Sequence, residues 1–394
     1  MHFDFNKPID RRNTDSVKFD FAAEHGYDPN ILPLWVADMD FQAPPCVLDA
    51  LKARVEHGIF GYTDTKEDYF AAVKTWFSSR FGWELQPQWL VKTPGVVFAL
   101  SAAVRVMTEP GDAVLVQPPV YYPFYKVISN NGRRIVESPL VYENGSYTID
   151  FADFEEKVRA GGVKLFILCS PHNPVCRVWT EAELRRLGEI CETYGVQVIA
   201  DEIHCDFTLP GFIHTPFPKA CPQLAHRCIV CTAPSKTFNL AGLQVSNLFI
   251  PGEELRNAYL EELDRISYHS LNCMGSIACR AAYTDGAAWL DACKAYMLEN
   301  LHYVRSFLAE NIPAIRLVEP EGTYFAWLDC SGLGLTPEKL EDLIVNKAGL
   351  WLDSGAIFGE CAAQFQRVVL ACPRETVVKA MERLRTAVNS NFRK

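Results

Sequence analysis

The middle of the chain repeats one pattern, a short apolar run followed by an amphipathic stretch, and this repeat limits the folds open to the chain. The runs at 113–117, 164–169, 196–200 and 228–231 are nearly continuous in apolar residues, and 245–250 predicts one more strand. Strands buried on both faces have this composition, and strands that alternate with helices form a mostly parallel sheet. We therefore predict an α/β fold whose mostly parallel sheet is flanked by helices.

Local signals also mark helices and a second structural unit. Thr180 and Glu183 have the spacing of a capping box, which predicts a helix that begins after Thr180 and ends before Gly195. After about residue 285 the pattern changes to long helices and short strands. Helices are predicted at 289–311, 337–347 and 373–389, and strands at 314–318, 323–328 and 367–371. This part of the chain is predicted to form a smaller α+β domain.

Three polar residues follow the predicted strands and suggest a reactive site. Lys236 lies in the segment Ser235-Lys236-Thr237, Asp201 follows one apolar run, and Asn173 follows another. A lysine that forms a Schiff base needs a desolvated pocket, because burial lowers its pKa and frees the amine. If the carbonyl belongs to pyridoxal phosphate, the ring also needs a carboxylate at its nitrogen and a donor at its phenolic oxygen. Asp201 and Asn173 are the candidates for these two roles, since ligands gather at strand ends in α/β sheets.

Taken together, these segments resemble those of the fold-type-I pyridoxal-phosphate enzymes of the class-I/II aminotransferase family. The segment 34–41 (Leu-Trp-Val-Ala-Asp-Met-Asp-Phe), Pro171-His172-Asn173-Pro174 and Asp201-Glu202-Ile203-His204 are similar to one branch, the cystathionine β-lyases or C–S lyases of MalY and PatB type. The resemblance extends from about residue 30 to about residue 375. It implies an N-terminal arm (1–45) on a small C-terminal domain (286–394), with a large cofactor-binding domain (46–285) between them.

The resemblance also implies how the cofactor is held. The backbone of Val96 and Val97, at the start of an apolar helix, would bind the phosphate, and Tyr121 would stack on the ring. His204 stands near the phenolic oxygen, where many relatives have a tyrosine. Tyr62 matches a tyrosine that reaches the phosphate of the neighbouring subunit, which implies a homodimer with shared active sites. The complete cofactor-binding set implied in this way is Tyr62, Val96, Val97, Tyr121, Asn173, Asp201, His204, Ser235 and Lys236.

A second implied set binds the amino-acid substrate. Arg367 begins the strand predicted at 367–371, and its guanidinium fork suits an α-carboxylate; Arg374 is the alternative. Ala37 and Asn173 complete the implied substrate contacts, while Lys236, Asp201 and Tyr62 are the implied catalytic residues.

Three departures from the family pattern affect specificity. Gln244 stands where transaminating relatives usually have an arginine on the phosphate, which favours the lyase branch. Cys176 replaces an expected glycine, so the local turn is in question. The segment 359–365 lacks glycines that are usual beside the substrate.

Two reactions remain open for one set of residues, and a third function is not enzymatic. Lys236 would remove the Cα proton, while Asp201 keeps the ring protonated. Loss of a thiolate from Cβ of L-cystathionine or a related cysteine S-conjugate would give a thiol, pyruvate and ammonia. Reprotonation on the cofactor would instead give an aminotransferase. The lesser alternative is a cofactor-bearing regulatory protein that binds another protein.

Charge and composition exclude other classes of function. A net charge of −10 argues against binding to nucleic acid or to anionic membranes. No apolar stretch approaches the roughly 18 residues of a membrane span, and the start of the chain lacks a signal peptide's apolar core, so we predict a cytoplasmic protein. Its 14 cysteines are expected to be reduced. Cys228 and Cys231 would project to opposite faces of a strand, and no metal site is predicted.

Overall fold

A seven-stranded sheet lies at the centre of the structure, a computed structural model that describes residues 3–392. The strand Ser246–Phe249 is antiparallel to both of its neighbours, and the other six strands run parallel to one another. Across the sheet the order is Leu90–Thr93, Ser246–Phe249, Cys228–Thr232, Gln197–Asp201, Val163–Cys169, Ala113–Val116 and Arg134–Glu137. The prediction of a mostly parallel α/β sheet is thus confirmed.

The apolar runs mark these strands closely, because a strand buried on both faces has no polar positions. Each of the five predicted central strands is present, with ends that differ by at most one residue from the prediction. Cys228 packs with Val230 in the core on one face of the sheet, whereas Ile229 and Cys231 pack in the core on the other. The two sulfurs therefore lie on opposite faces, as the alternation of a strand requires.

Helices cover the sheet and connect its strands. The capping box at Thr180 and Glu183 is present, and the helix Glu181–Tyr194 ends at Gly195, whose φ of 70° is left-handed. The other helices before residue 286 are Pro45–His57, Glu67–Phe81, Val96–Met107, Pro123–Asn130, Phe151–Gly161, Phe217–Ala220, Pro234–Thr237, Glu253–Arg265 and Cys273–Asp285. The later ones are Ala287–Asn311, Pro337–Asp342, which continues as a π-type turn at Leu343–Lys347, and Arg374–Phe392. Within residues 3–392, no helix is both long and apolar enough to cross a membrane.

A second, antiparallel sheet contains four strands from the C-terminal part of the chain. Their order is Arg316–Leu317, Phe325–Asp329, Phe365–Val369 and Asp353–Ser354. The strand predicted at 367–371 was wrong by two residues at each end. Gln366 and Arg367 are buried and pair with polar groups inside the protein, so these two polar residues lie within the strand and do not mark its start. Arg367 therefore lies in the middle of a strand.

The N-terminal segment packs against this C-terminal part. Leu32–Pro33 pairs in parallel with Leu350–Trp351, and the rings of Trp35 and Trp351 stack with centroids 4.2 Å apart. Residues 1–2 of the predicted arm and residues 393–394 of the predicted C-terminal domain lie outside the described residues. The two domain boundaries, after residues 45 and 285, remain a prediction.

Candidate active site

A cavity of about 400 Å³ lies where several parallel strands end, the edge at which α/β sheets bind ligands. Asp201 is the last residue of its strand, and Lys236 lies in the short helix Pro234–Thr237 that follows the next strand. Nine predicted site residues line the cavity: Ala37, Val96, Val97, Tyr121, Asn173, Asp201, His204, Ser235 and Lys236. The fold thus brings together residues that are up to 199 positions apart in the sequence.

Lys236 has the environment of a reactive amine. Its Nζ donates a hydrogen bond to the carbonyl oxygen of Ala37 at 2.7 Å. Burial and the charge of Arg367 lower the pKa of Lys236 to about 8, while Asp38 and Asp201 oppose the shift. A lysine with this pKa has a substantial neutral fraction near neutrality, and only the neutral amine is a nucleophile or a base.

Asp201 is a buried carboxyl group that lacks a full set of partners. It accepts a hydrogen bond from the backbone nitrogen of Ile203 at 3.2 Å. Burial raises the pKa of Asp201 to about 7, against the opposing effects of that hydrogen bond and of Lys236. A protonated ring nitrogen would supply a positive partner for Asp201, because an opposite charge stabilises the ionised carboxylate.

His204 and Asn173 offer polar atoms to a bound ring. Burial lowers the pKa of His204 well below its usual value, so the imidazole is neutral. Its Nδ1 is buried without a hydrogen-bond partner, and buried polar atoms ordinarily have one. Asn173 accepts a hydrogen bond from Arg367 Nη1 at 2.9 Å through its Oδ1, which leaves its Nδ2 to donate into the cavity.

The opposite part of the cavity suits a phosphate. Val96 and Val97 are the first residues of the helix Val96–Met107, so their N–H groups have no partner within the helix and are free to bind an anion. Ser235 and Gln244 also line this cavity. Phosphate donors, a buried carboxyl group, an amide, an unpartnered imidazole nitrogen and a lysine of lowered pKa together fit pyridoxal phosphate.

Arg367 lies behind the cavity and is buried. Its guanidinium donates to Asn173, to the carbonyl oxygen of Trp35 at 2.9 Å, and to the carboxylate of Asp353. It also lies over the rings of Phe325 and Phe358, 4.4 and 5.0 Å from their centroids. These contacts hold the planar group in one orientation, which bidentate recognition of a carboxylate requires.

Arg374, the alternative, occupies a different environment. It donates to Asn300 Oδ1 at 2.6 Å and lies over the Tyr303 ring. Neither arginine lines the cavity, but Arg367 donates to Asn173, which does. The structure favours Arg367 for the substrate carboxylate, and that role remains a prediction.

Tyr62, like Arg367, does not line the cavity. Its side chain is fully exposed on the segment that follows the helix Pro45–His57. This placement is what a residue that acts across a subunit interface would show, and its role stays a prediction.

The departures from the family pattern have local explanations. Cys176 has a φ of 63°, so it adopts the left-handed conformation of the expected glycine, and Thr323 Oγ1 donates to its sulfur at 3.3 Å. The segment 359–365 follows a short 3₁₀ turn, Gly355–Phe358. The carbonyl oxygen of Phe358 accepts from the backbone nitrogen of Val120 at 2.9 Å, which attaches this loop beside Tyr121.

Sequence reasoning missed two residues of the site. The hydroxyl of Tyr324 donates to the Ala37 carbonyl oxygen at 3.0 Å, and Asp353 pairs with Arg367. Asp353 lies directly opposite Arg367 in the antiparallel register. No local sequence pattern indicates that register. Asp353 could have been identified only by pairing these two short strands correctly.

Comparison with known proteins agrees with this geometry. The family described as aminotransferase class I and II matches residues 29–384. The cystathionine β-lyase PatB of Bacillus subtilis (strain 168) is 42% identical over 385 residues, covering 98% of this chain and 100% of PatB.

Two solved structures share the fold over almost their whole length. Cystalysin from Treponema denticola, which contains pyridoxal 5'-phosphate, is 37% identical with a TM-score of 0.96, covering 99% of this chain and 100% of cystalysin. The PLP-bound C–S lyase from Staphylococcus hominis is 34% identical with a TM-score of 0.93, covering 98% of each chain. The chain belongs to the class I and II aminotransferase family.

Proposed function

We propose that this protein is a pyridoxal-phosphate-dependent C–S β-lyase that cleaves L-cystathionine or a related cysteine S-conjugate. With one water molecule, cystathionine gives homocysteine, pyruvate and ammonia. The observation that carries the proposal is the meeting of Lys236 and Asp201 in one cavity with donors for a phosphate and a ring oxygen. The C–S lyases among its relatives support the choice of reaction within the family.

Bound pyridoxal phosphate supplies an electron sink for the charge that develops at Cα. Asp201 holds a proton at the ring nitrogen, because its buried carboxylate is stabilised by a positive partner. Val96 and Val97 bind the phosphate, and Asn173 donates to the ring oxygen. Each of these groups positions the cofactor against the substrate.

The substrate is held and deprotonated by two further groups. Arg367 binds the α-carboxylate, which orients the Cα–H bond towards Lys236. The neutral Nζ of Lys236 accepts the Cα proton as general base. Ala37 accepts a hydrogen bond from Nζ and so limits where that amine can move.

Aminotransferase activity is the second candidate, because the family model that matches this chain is described as aminotransferase class I and II. The same residues would serve both reactions, and the matching family includes aminotransferases. Gln244 at the cavity supplies no positive charge to the phosphate, which agrees with the lyase branch.

The reaction is decided by one assay. Supplied with L-cystathionine and no keto acid, the enzyme is expected to release pyruvate, ammonia and homocysteine continuously, because β-elimination leaves the cofactor unchanged. A transaminase would stop after one half-reaction until a keto acid was added. Cysteine S-conjugates of several sizes belong in the same assay, since the segment 359–365 departs from the family pattern. Keto-acid-dependent turnover without pyruvate from any of them would establish the aminotransferase instead.

We also propose a homodimer with composite active sites. Tyr62 is fully exposed, and Val55, Ile59 and Phe60 beside it are more than half exposed. A cluster of exposed apolar residues is typical of an interaction surface. A second copy of the chain would cover these residues and receive Tyr62 at its phosphate site.

Hybrid dimers test this arrangement. Lys236→Ala and Tyr62→Ala variants are each expected to be inactive, and co-expression is expected to restore activity. In a hybrid, one site has both changes and the other has neither, so random pairing restores at most about a quarter of all sites. The control is a double variant that carries both changes in one chain. Expressed alone, it forms dimers in which every site has both changes, so it stays inactive. A fully active monomer in sedimentation would contradict the proposal.

We propose that the protein acts in the cytoplasm. Its 14 cysteines are all free, and 11 of them are buried. Such a set of thiols is typical of a reducing compartment.

A further inference from the structure

The N-terminal segment contains an ionic cluster of two cations and two anions, which we call the arm cluster: Arg11, Lys18, Asp38 and Asp40. Lys18 and Asp40 are buried, whereas the side chains of Arg11 and Asp38 are 22% and 20% exposed. Arg11 contacts Asp38 at 2.6 Å and Asp40 at 2.7 Å. Lys18, whose side chain is fully buried, donates to both oxygens of Asp40 at 3.1 Å. Buried charges persist when they are paired and hydrogen-bonded, so the arm cluster holds this segment in one conformation.

The arm cluster is directly attached to the site. Ala37 precedes Asp38, and its carbonyl oxygen accepts from Lys236 Nζ at 2.7 Å. Lys18 Nζ also donates to the backbone oxygen of Asp38 at 3.4 Å, and Arg11 Nη1 to that of Met39 at 3.3 Å. The two arm cations therefore bind the backbone immediately after Ala37.

The other side of the same segment is held by a residue that follows the short helix containing Lys236. Asn239, three residues after Lys236, accepts from Met39 N at 3.0 Å and donates to Met39 O at 2.9 Å. The backbone at Met39 is thus held between Asn239 and Arg11. Loss of the Arg11 contact would leave the Met39 backbone held by Asn239 alone, so the nearby Ala37 carbonyl would be less well fixed.

Charge gives the arm cluster a second effect on Lys236. Burial alone would raise the pKa of Asp38, but the Arg11 hydrogen bond and the charges of Lys18 and Arg11 lower it, so Asp38 is an anion. The charged groups that act on Lys236 are Arg367, Asp38 and Asp201. Asp38 favours the protonated form of Lys236, and the two arm cations pair with Asp38.

We propose, on the basis of the function proposed above, that Arg11 and Lys18 are positioning residues for Lys236. Their pairing with Asp38 and Asp40 fixes the Ala37 carbonyl that receives Nζ and neutralises the carboxylate that faces it. The arm cluster acts through Ala37 and Asp38 and touches neither substrate nor cofactor. Its loss should therefore change kcat and the protonation of Lys236 more than KM.

The sign of the protonation change follows from the charges. Removing Arg11 leaves Asp38 less neutralised, which favours protonated Lys236 and moves its titration to higher pH. Removing the charge of Asp38 leaves the arm cations in excess and moves the titration to lower pH. A purely structural defect has no reason to shift the midpoint in opposite directions for these two changes.

The test uses the cofactor-loaded enzyme and the variants Arg11→Met and Asp38→Asn. The midpoint of the Lys236 nitrogen is read from the visible absorbance of the bound cofactor as pH is varied. We expect it to rise in Arg11→Met and to fall in Asp38→Asn. During turnover Lys236 is a free amine that must be neutral to accept the Cα proton, so a rise of about one pH unit in the pKa of that amine would lower kcat of Arg11→Met about tenfold near neutral pH. The pH profile of kcat measures this change. The KM of Arg11→Met should change less than kcat.

Arg12→Met is the matched control, because Arg12 is the exposed neighbour of Arg11 and pairs with exposed Asp10. Its midpoint and kcat should equal those of the unchanged enzyme. If Arg11→Met does not fold, Lys18→Met replaces it, with the same rise expected. Midpoints that are unchanged, or that move in the same direction in the cation and Asp38 variants, overturn the proposal. The titration requires bound cofactor but no turnover. If the midpoints shift as expected but no pyruvate is released, only the proposed reaction is overturned.

Discussion

Replacing Lys236 with alanine is expected to lower pyruvate release by at least about 10³-fold, because the variant loses both the attachment point of the cofactor and the general base. The purified unchanged protein should be yellow, and borohydride should fix the cofactor irreversibly on Lys236. Peptide mapping after reduction identifies the labelled lysine. Attachment to any other lysine would remove Lys236 from the site.

Two other lysines, Lys18 and Lys294, show whether the label is specific to Lys236. Burial also lowers the pKa of Lys294, but its Nζ donates to the backbone oxygen of Asp206 at 2.6 Å, and it lines a different cavity. Lys18 is fully buried and paired with Asp40. Neither shares a cavity with Asp201, so neither should carry the label. Lys294→Ala serves as the control variant and should retain the yellow colour.

Asp201→Ala is expected to slow removal of the Cα proton by at least about 10²-fold. Without the carboxylate the ring nitrogen loses its proton, and the cofactor becomes a weaker electron acceptor. Exchange of the substrate Cα proton with deuterated solvent measures removal of that proton independently of the later steps of the reaction. Near-normal exchange and turnover would show that Asp201 does not hold the ring nitrogen.

The fold should survive this change, and pH provides the check. In the cofactor-free protein, burial raises the pKa of Asp201 from 3.8 to about 7, so the folded state binds more protons than the unfolded state between these values. The free energy of unfolding contributed by Asp201 therefore falls as pH rises from about 4 to about 7. Cofactor-free Asp201→Ala should lack this decline, so its stability relative to the unchanged protein should increase with pH across this range. Thermal unfolding of both proteins at pH 4 and pH 7 measures the difference.

Some of this site was accessible from local sequence patterns. The apolar runs located the central strands to within one residue at each end, because a strand buried on both faces is continuous in apolar residues. Asp201 and Lys236 follow such strands, and parallel strands present their carboxyl ends at one edge. Their meeting in one cavity could therefore be predicted. The assignment of Val96, Val97 and Tyr121 depended on family resemblance, since a turn into an apolar helix is common in proteins of every function.

Other features were decided by tertiary packing alone. Arg367 was predicted to begin a strand, yet it lies in the middle of one, where the register places Asp353 opposite it. The Ala37 carbonyl meets Lys236 across 199 residues, and Arg11 meets Asp38 across 27. Such contacts depend on strand register and on the angle at which separate segments pack, whereas local periodicity reports only which face of a segment is buried. The sequence therefore specified which chemical groups stand at the sheet edge, and the packing of the N-terminal and C-terminal segments decided what holds them in place.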